Sequence, residues 1–321
     1  MSPVSVIVPL YNKAPWVGRA IRSVLAQTHQ EFEIVVVDDG STDGGAEIVA
    51  AIGDPRIRLF RQRNSGVSEA RNRGIAEARF PLVAFLDADD EWLPEFVETI
   101  MALRAKYPFC RVFATSYVRR GDTGTDLSPI FRGIPDNWEG ILARYFEVAS
   151  RSDPPLWSSA VAVARSALVE VGGFVPRVAL GEDLLTWARL AARFDIAYSA
   201  QRLAIFWNVG SHDRVPDKPD VIGEELVGLR GKGDPGRVRG LERYIALWHR
   251  MRAVMFLHHG LTEDARHELR QMARLGVSGW QWGVYRLFGS CPAPICRISA
   301  RLYARAKVWG RAGREWLRKA C

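Results

Sequence analysis

Three apolar runs early in the chain each break on turn-forming or acidic residues, and this restricts the fold more than any other feature. Val4 to Pro9 runs into Leu10-Tyr11-Asn12, Ile34 to Val37 into Asp38-Asp39-Gly40, and Leu82 to Leu86 into Asp87-Ala88-Asp89-Asp90. Between them, Ala14 to Gln27 carries Val17, Ile21, Val24 and Leu25 at helical spacing. Glu47 to Ala51 and Ser68 to Ala78 continue as helix, and Ile57 to Phe60 is a short strand. Strands alternating with helices pack as βαβ units around a largely parallel sheet. In such sheets ligands bind beyond the carboxyl ends of the strands, so the residues just after each run acquire functional weight.

The strongest local feature is Asp87-Ala88-Asp89-Asp90. Clustered carboxylate oxygens suit Mg²⁺ or Mn²⁺, which complete their shells with water and substrate phosphates. The bland alternative is an acidic turn capping the next helix through Asp89 or Asp90. Asp39 is placed to accept hydrogen bonds from a base or ribose, against helix capping by Asp38 or Ser41. Arg71 and Asn72 lie in a helical stretch from which a basic residue reaches a donor base or phosphates, or faces solvent. Gly181-Glu182-Asp183 opens a helix running to Arg193, where the macrodipole favours acids; the same field keeps an aspartate ionised, which suits a general base.

The remaining segments are less regular. Arg111 to Tyr117, Ser159 to Val163 and Arg202 to Trp207 read as strands, and Gly121 to Asn137 as a loop. Ser211 to Pro219 and Arg230 to Gly240 read as polar linkers. Gly231-Lys232-Gly233-Asp234-Pro235-Gly236 matches G-x-G-x-x-G but follows no strand, which the dinucleotide reading requires. His212 reads as a solvated loop residue, with completion of a metal or diphosphate site as its alternative. His258 and His259 read as helix-surface residues. Cys291 and Cys296 flank prolines in a spacing unlike a zinc knuckle, and reduced thiols are expected. There is no signal-peptide pattern, and no run reaches the roughly 18 apolar residues of a spanning helix.

Taken in order, these segments resemble glycosyltransferase family 2. The stretches are Val4 to Asn12, Ser23 to Thr28, Val37 to Asp43, Asn64 to Asn72 and Phe85 to Asp90, then Gly172-Gly173-Phe174 and Glu182-Asp183. The resemblance covers roughly residues 2 to 210. It implies an α/β, Rossmann-like glycosyltransferase A fold with a mostly parallel central sheet. Residues 1–215 would be the catalytic domain, with a nucleotide-binding half at about 1–107 and an acceptor half at about 108–215. Residues 216–321 would be a helical, basic C-terminal extension.

The resemblance also implies roles. Pro9, Tyr11, Asn12 and Asp39 would hold the base and ribose with help from Arg71. Asp87 and Ala88 would contact the donor, and Asp89, with Asp87, would ligate Mn²⁺ or Mg²⁺. Asp183 would be the catalytic base, with Glu182 as its neighbour. The implied reaction is inverting transfer of a sugar from a nucleotide-sugar donor, UDP preferred, to a hydroxyl of a glycan or lipid-linked acceptor in cell-surface polysaccharide biosynthesis. Processive synthases of the family carry Gln-x-x-Arg-Trp, which Arg189 to Phe194 does not match, so single transfer is favoured. Transfer to polyprenyl phosphate and a non-catalytic nucleotide-binding scaffold at the membrane are the alternatives.

Net charge is +8, which favours a polyanionic partner. The charge gathers after Arg286, where Arg297, Arg301, Arg305, Lys307, Arg311, Arg314 and Arg318 accompany an apolar stripe with Trp309. That combination suits a helix on an anionic bilayer, against a helix packed on the catalytic domain. No nucleic-acid-binding module surrounds the charge. A cytoplasmic protein, peripheral on the inner face of the membrane, is the expected location.

Overall fold

The computed structural model describes residues 3–121, 124, 126–207, 214–232 and 234–276; everything below concerns those residues. The first elements are β1 (Val4–Leu10), α1 (Ala14–Leu25), β2 (Phe32–Asp38), α2 (Gly45–Ala51), β3 (Ile57–Arg61), α3 (Val67–Glu77) and β4 (Leu82–Phe85). Then come β5 (Glu91–Trp92), α4 (Phe96–Lys106), β6 (Val112–Arg120), β7 (Asp126–Leu127), β8 (Glu139–Ile141) and α5 (Tyr145–Ala149). A 3₁₀ turn, Ser158–Ala160, leads into β9 (Val161–Ala164), α6 (Arg165–Glu170), α7 (Glu182–Ala191) and β10 (Ile196–Trp207). Finally α8 (Val221–Gly228), α9 (Leu241–His258) and α10 (Thr262–Arg274) follow.

One sheet runs in the order β3-β2-β1-β4-β9-β6-β10-β5, with β7 on β6 and β8 on β10. The β3-β2-β1-β4 half is parallel throughout. Every residue of β1 and β2 is buried, as parallel strands covered on both faces require. The other half is mixed: β6 and β10 are parallel, and β9 runs against both β4 and β6. The sheet is thus α/β and parallel where the first half of the chain builds it, and β9 reverses at the join.

β10 is six residues longer at its start than its apolar pattern indicates, because register shifts at Ser199/Arg202 and Arg202/Ala204 break the alternation. α1 buries Val17, Ala20, Ile21 and Val24 and has Pro15 in its first turn, where a missing N–H is harmless. It ends at Leu25. Beyond it, the buried Gln27 donates to Ser23 O and Leu93 O and accepts from Val97 N–H, tying the end of α1 to the start of α4.

Gly74 sets how closely α3 lies on β1. A Cβ there would sit 2.4 Å from Ile7 Cγ2, and Ile7 is fully buried in the sheet. Gly74→Ala should therefore destabilise the protein by about 1–3 kcal/mol through overpacking, read from urea denaturation. An alanine variant as stable as wild type would show that the packing yields.

The chain divides into two compact units, Met1–Ser211 with Gly228–Arg239, and His212–Val227 with Gly240–Cys321. The sheet belongs to the first. The second has its own small core of Ala246, Ala253, Phe256, Leu257, Ala265, Leu269 and Met272. The glycine-rich stretch starting at Gly231 follows α8 and a 3₁₀ turn, not a strand, and Arg237 pairs with Asp195 at 2.7 Å. Among the described residues no helix is long and apolar enough to cross a membrane. His212, Cys291, Cys296 and the basic segment after Arg286 lie outside the described residues.

Candidate active site

β4 delivers a tight turn. Leu86 N–H donates to Ile7 O at 3.0 Å, and Asp90 N–H closes back on Asp87 O at 3.0 Å. Asp90 is buried and does not cap a helix, because the next element is β5, which pairs with β10. Its Oδ1 accepts from Trp207 N–H (3.1 Å) and its Oδ2 from Ser159 Oγ (2.5 Å). Burial raises its proton affinity well above the usual carboxylate range, and Asp87 and Asp89 add to that.

Ser159 also accepts from Asp87 N–H (3.1 Å), while its carbonyl receives the Trp92 indole N–H (2.6 Å). One hydroxyl therefore fixes both ends of the acidic turn. No local sequence signal marks Ser159 for this role, since its partners lie some seventy residues away. Ser159→Ala leaves a buried carboxyl oxygen and an amide unpaired. A loss of about 1–3 kcal/mol is expected, measured by chemical denaturation; no loss would mean that water replaces the hydroxyl at no cost.

The two other aspartates are half-buried. Asp89 Oδ2 receives Lys13 Nζ at 2.5 Å, and its carbonyl receives Arg19 Nη2 at 2.6 Å. Asp87 Oδ1 receives Arg71 Nη2 at 2.8 Å. Arg71 is only 3% exposed, and its Nη1 reaches Glu182 Oε1 at 3.1 Å. Burial works against the guanidinium charge, but Asp87, Glu182 and Asp183 outweigh it, and the proton is held more firmly than in free arginine. Arg71 thus joins the end of β4 to the start of α7 through its two Nη groups, while its buried Nε finds no hydrogen-bond partner.

The neighbouring Asn72 sets the approach to α7. Its Nδ2 donates to Phe174 O (2.8 Å) and its Oδ1 accepts from Phe174 N–H (2.9 Å). Gly173, at φ +65°, passes so close that a Cβ would sit 2.6 Å from Asn72 Oδ1. α7 then begins with Glu182 and Asp183. Glu182 is buried on Arg71, whereas Asp183 is half-buried. Burial, and next the charge of Glu182, push the Asp183 carboxyl up to about 7. Arg71 and the Leu184 N–H act against this, and Asp87 acts with it. A carboxyl balanced near neutrality suits proton transfer.

On the other side, the ends of β1 and β2 interlock. Asp39 N–H donates to Leu10 O (2.8 Å), Asn12 N–H to Ser41 Oγ (3.1 Å) and Thr42 N–H to Asn12 Oδ1 (2.9 Å). Asn12 has a positive φ of 49°, which asparagine tolerates better than most residues. Pro9 is buried within β1, and Tyr11 is 48% exposed. Asp39 is buried and accepts from Gln62 Nε2 (2.8 Å), Ser65 N–H (2.9 Å) and Gly66 N–H (2.8 Å). Those three bonds shape the 62–66 loop and leave about one of its roughly four lone-pair sites for a ligand. Asp38 accepts from Ser41 N–H at 3.0 Å, so it stabilises the turn and not the helix.

Because β2, β1 and β4 are adjacent and parallel, Asp39, Lys13 and the Asp87–Asp90 turn follow the same edge of the sheet, and Arg71 draws α7 to it. Ala88 is buried between the half-buried Asp87 and Asp89. The donor set fits a hard divalent cation: two half-buried carboxylates at a strand end, one paired with the Lys13 ammonium and the other, through one oxygen, with the Arg71 guanidinium. Mg²⁺ or Mn²⁺ needs only one or two such ligands when phosphates supply the others.

A second acidic group lies in the other unit. Asp220, His249 and Glu268 bring ligand-type atoms within 4.8 Å of one another. There Arg252 already supplies the positive charge, with Nε 2.8 Å from Glu268 Oε1 and 3.3 Å from Asp220 Oδ2. Burial acts to raise Glu268, but hydrogen bonds from His249 and Arg252 outweigh it and hold the carboxylate below its ordinary value. This network braces α9 against α10.

Comparison with known proteins bears on the family and the fold. An uncharacterised glycosyltransferase of Rickettsia conorii is 31% identical over 195 residues, covering 60% of this chain and 31% of that protein. The chain thus spans less than a third of that relative's length. Among solved structures, S. aureus TarS 1–349 in complex with UDP-GlcNAc aligns with a TM-score of 0.66 at 18% identity, covering 93% of this chain and 89% of that one. The mannosyltransferase PcManGT from Pyrobaculum calidifontis, in complex with GDP-Man and Mn²⁺, aligns at 0.57 and 18%, covering 93% and 86%. These structures share the glycosyltransferase A fold. The sequence model described as Glycosyl transferase family 2 matches residues 5–167, half of the chain, and the protein belongs to that family.

Proposed function

We propose that this protein is an inverting glycosyltransferase that transfers one sugar from a nucleotide-sugar donor to a hydroxyl of a glycan or lipid-linked acceptor. Cell-surface polysaccharide assembly is the process it serves. The observation that carries the reading is Asp183: a carboxyl pushed up to about 7, at a helix start tied through Glu182 and Arg71 to the strand-end Asp87. An acceptor hydroxyl needs a base at that point, whereas a phosphate acceptor does not, so the polyprenyl-phosphate reading is the weaker one.

In this reading Asp39, Asn12, Pro9 and Tyr11 form the base and ribose side. Asp89 and Asp87 would hold Mn²⁺ or Mg²⁺, which supplies Lewis-acid stabilisation of charge on the departing diphosphate. Asp183 takes the acceptor proton as attack proceeds from the face opposite the leaving group. A single displacement inverts the anomeric centre, and the chain needs no carboxylate nucleophile.

The test is a panel of UDP-, GDP- and dTDP-sugars screened by thermal shift with Mn²⁺, for wild type and Asp89→Asn. A ligand that binds only the folded state raises Tm. One nucleotide series should raise Tm in wild type and lose most of that effect in Asp89→Asn. Equal shifts in both proteins, or none with any donor, would overturn the assignment.

A further inference from the structure

Lys13 is the one cationic side chain paired directly with the Asp89 carboxylate among the described residues, with Nζ 2.5 Å from Oδ2. It is the residue immediately before α1, where β1 gives way to a helix N-terminus. The first amides of α1 are already taken, Ala14 N–H by Asp43 Oδ2 at 2.8 Å and Trp16 and Val17 N–H by Lys13 O, so a diphosphate beyond the strand ends would be met by the Lys13 ammonium and not by helix amides. The lysine is therefore shared between two demands. It neutralises a carboxylate expected to hold a divalent cation, and it stands at the edge where a diphosphate would lie.

The other cationic groups around Asp89 have partners of their own. Arg19 Nη2 is bound to the Asp89 carbonyl, not the carboxylate, and its guanidinium stacks 4.0 Å over the Trp207 ring. Arg71 is locked between Asp87 and Glu182. Lys13 is about a third exposed on a flexible stem, so it can leave Asp89 without opening a buried site. An ammonium and a divalent ion on one carboxylate repel each other strongly at contact distance.

We propose that Lys13 is a resident counter-cation that competes with the divalent ion for Asp89 in the free protein and, once displaced, pairs with the diphosphate of the donor. Empty of nucleotide, the protein holds its metal site closed on its own lysine; metal and nucleotide then bind cooperatively, because each favours the released ammonium. This rests on the reading of Asp89 as a metal ligand given above.

The test measures Mn²⁺ binding to the full chain by the electron paramagnetic resonance signal of free Mn²⁺, without turnover. Without nucleotide, Lys13→Met should bind Mn²⁺ on the order of tenfold tighter than wild type, and Lys13→Arg, which keeps the charge, should follow wild type. At saturating Mn²⁺, Lys13→Met should bind UDP several-fold more weakly. Unchanged or weaker Mn²⁺ binding by Lys13→Met, beside wild-type binding that Asp89→Asn abolishes, would overturn the role of Lys13 alone. Unchanged UDP affinity would overturn its pairing with diphosphate. If wild type and Asp89→Asn bind Mn²⁺ equally, the metal site itself is wrong and Lys13 falls with it. Thermal unfolding of each variant confirms that the comparison is between folded proteins.

Discussion

Asp183→Asn should lower the rate of sugar transfer by roughly 10²–10⁴-fold, the range lost with a positioned general base, while leaving donor affinity close to wild type. Asparagine keeps the shape and the hydrogen-bonding reach of the side chain but cannot take a proton. In wild type the carboxyl is pushed up to about 7 by burial and by Glu182. Transfer should therefore rise with pH through about 7 and level off above it, and the residual rate of the variant should lack that step.

The same shift has a consequence for stability, of opposite sign to the usual aspartate. The folded protein binds the Asp183 proton more tightly than the unfolded chain, whose aspartate titrates near 4. The associated stability is present below that value and is lost as pH rises through about 7. At pH 8 wild type carries an ionised, poorly solvated carboxylate, and Asp183→Asn should be the more stable protein by up to about 4 kcal/mol. Near pH 4 the two should converge. Urea titrations at both pH values read this directly. A variant that keeps its rate, or a stability difference independent of pH, would remove Asp183 from the role of base.

Arg71→Met should be the most destabilising single change in the site. The guanidinium is 3% exposed and satisfies Asp87 and Glu182 together. Removing one partner of a buried ion pair leaves uncompensated charge and costs about 3–5 kcal/mol. Activity should fall with it, because the end of β4 and the start of α7 lose their tie. Arg71→Lys should recover only part of either property, since a compact ammonium cannot span two carboxylates as a planar fork does. A lysine variant with wild-type stability and rate would show that charge alone, and not the bridge, matters. Comparing donor affinity with rate in these variants separates a role of Arg71 in helping to hold the base and ribose from a role in positioning Asp87 and Glu182.

Much of the fold was legible in the chain. Val4 to Pro9, Ile34 to Val37 and Leu82 to Leu86 announce buried parallel strands through their apolar runs, and all but Leu86 lie inside the strands observed. α1 and α3 fall within two residues of the expected Ala14 to Gln27 and Ser68 to Ala78, α1 through strong apolar spacing and α3 with a face of small and polar residues that carries little of it. The reversed β9 was not legible, because a four-residue apolar run has no direction. The early half of β10 was hidden by its register shifts. In the site, the acids themselves were visible as residues following strands. Ser159 was not, since a serine in a 3₁₀ turn acquires its role only through partners from β4 and β5.

By itself the sequence determined which side chains are available and where along each strand they fall, because β-branched runs, turn residues and helical spacing are local properties of the chain. The tertiary structure decided what those side chains do. Asp87, Asp89 and Asp90 are chemically alike in sequence, yet one meets Arg71, one Lys13, and one Ser159 and Trp207. Their protonation and their freedom to bind a ligand follow from burial and from charges brought close by packing, which no local pattern encodes.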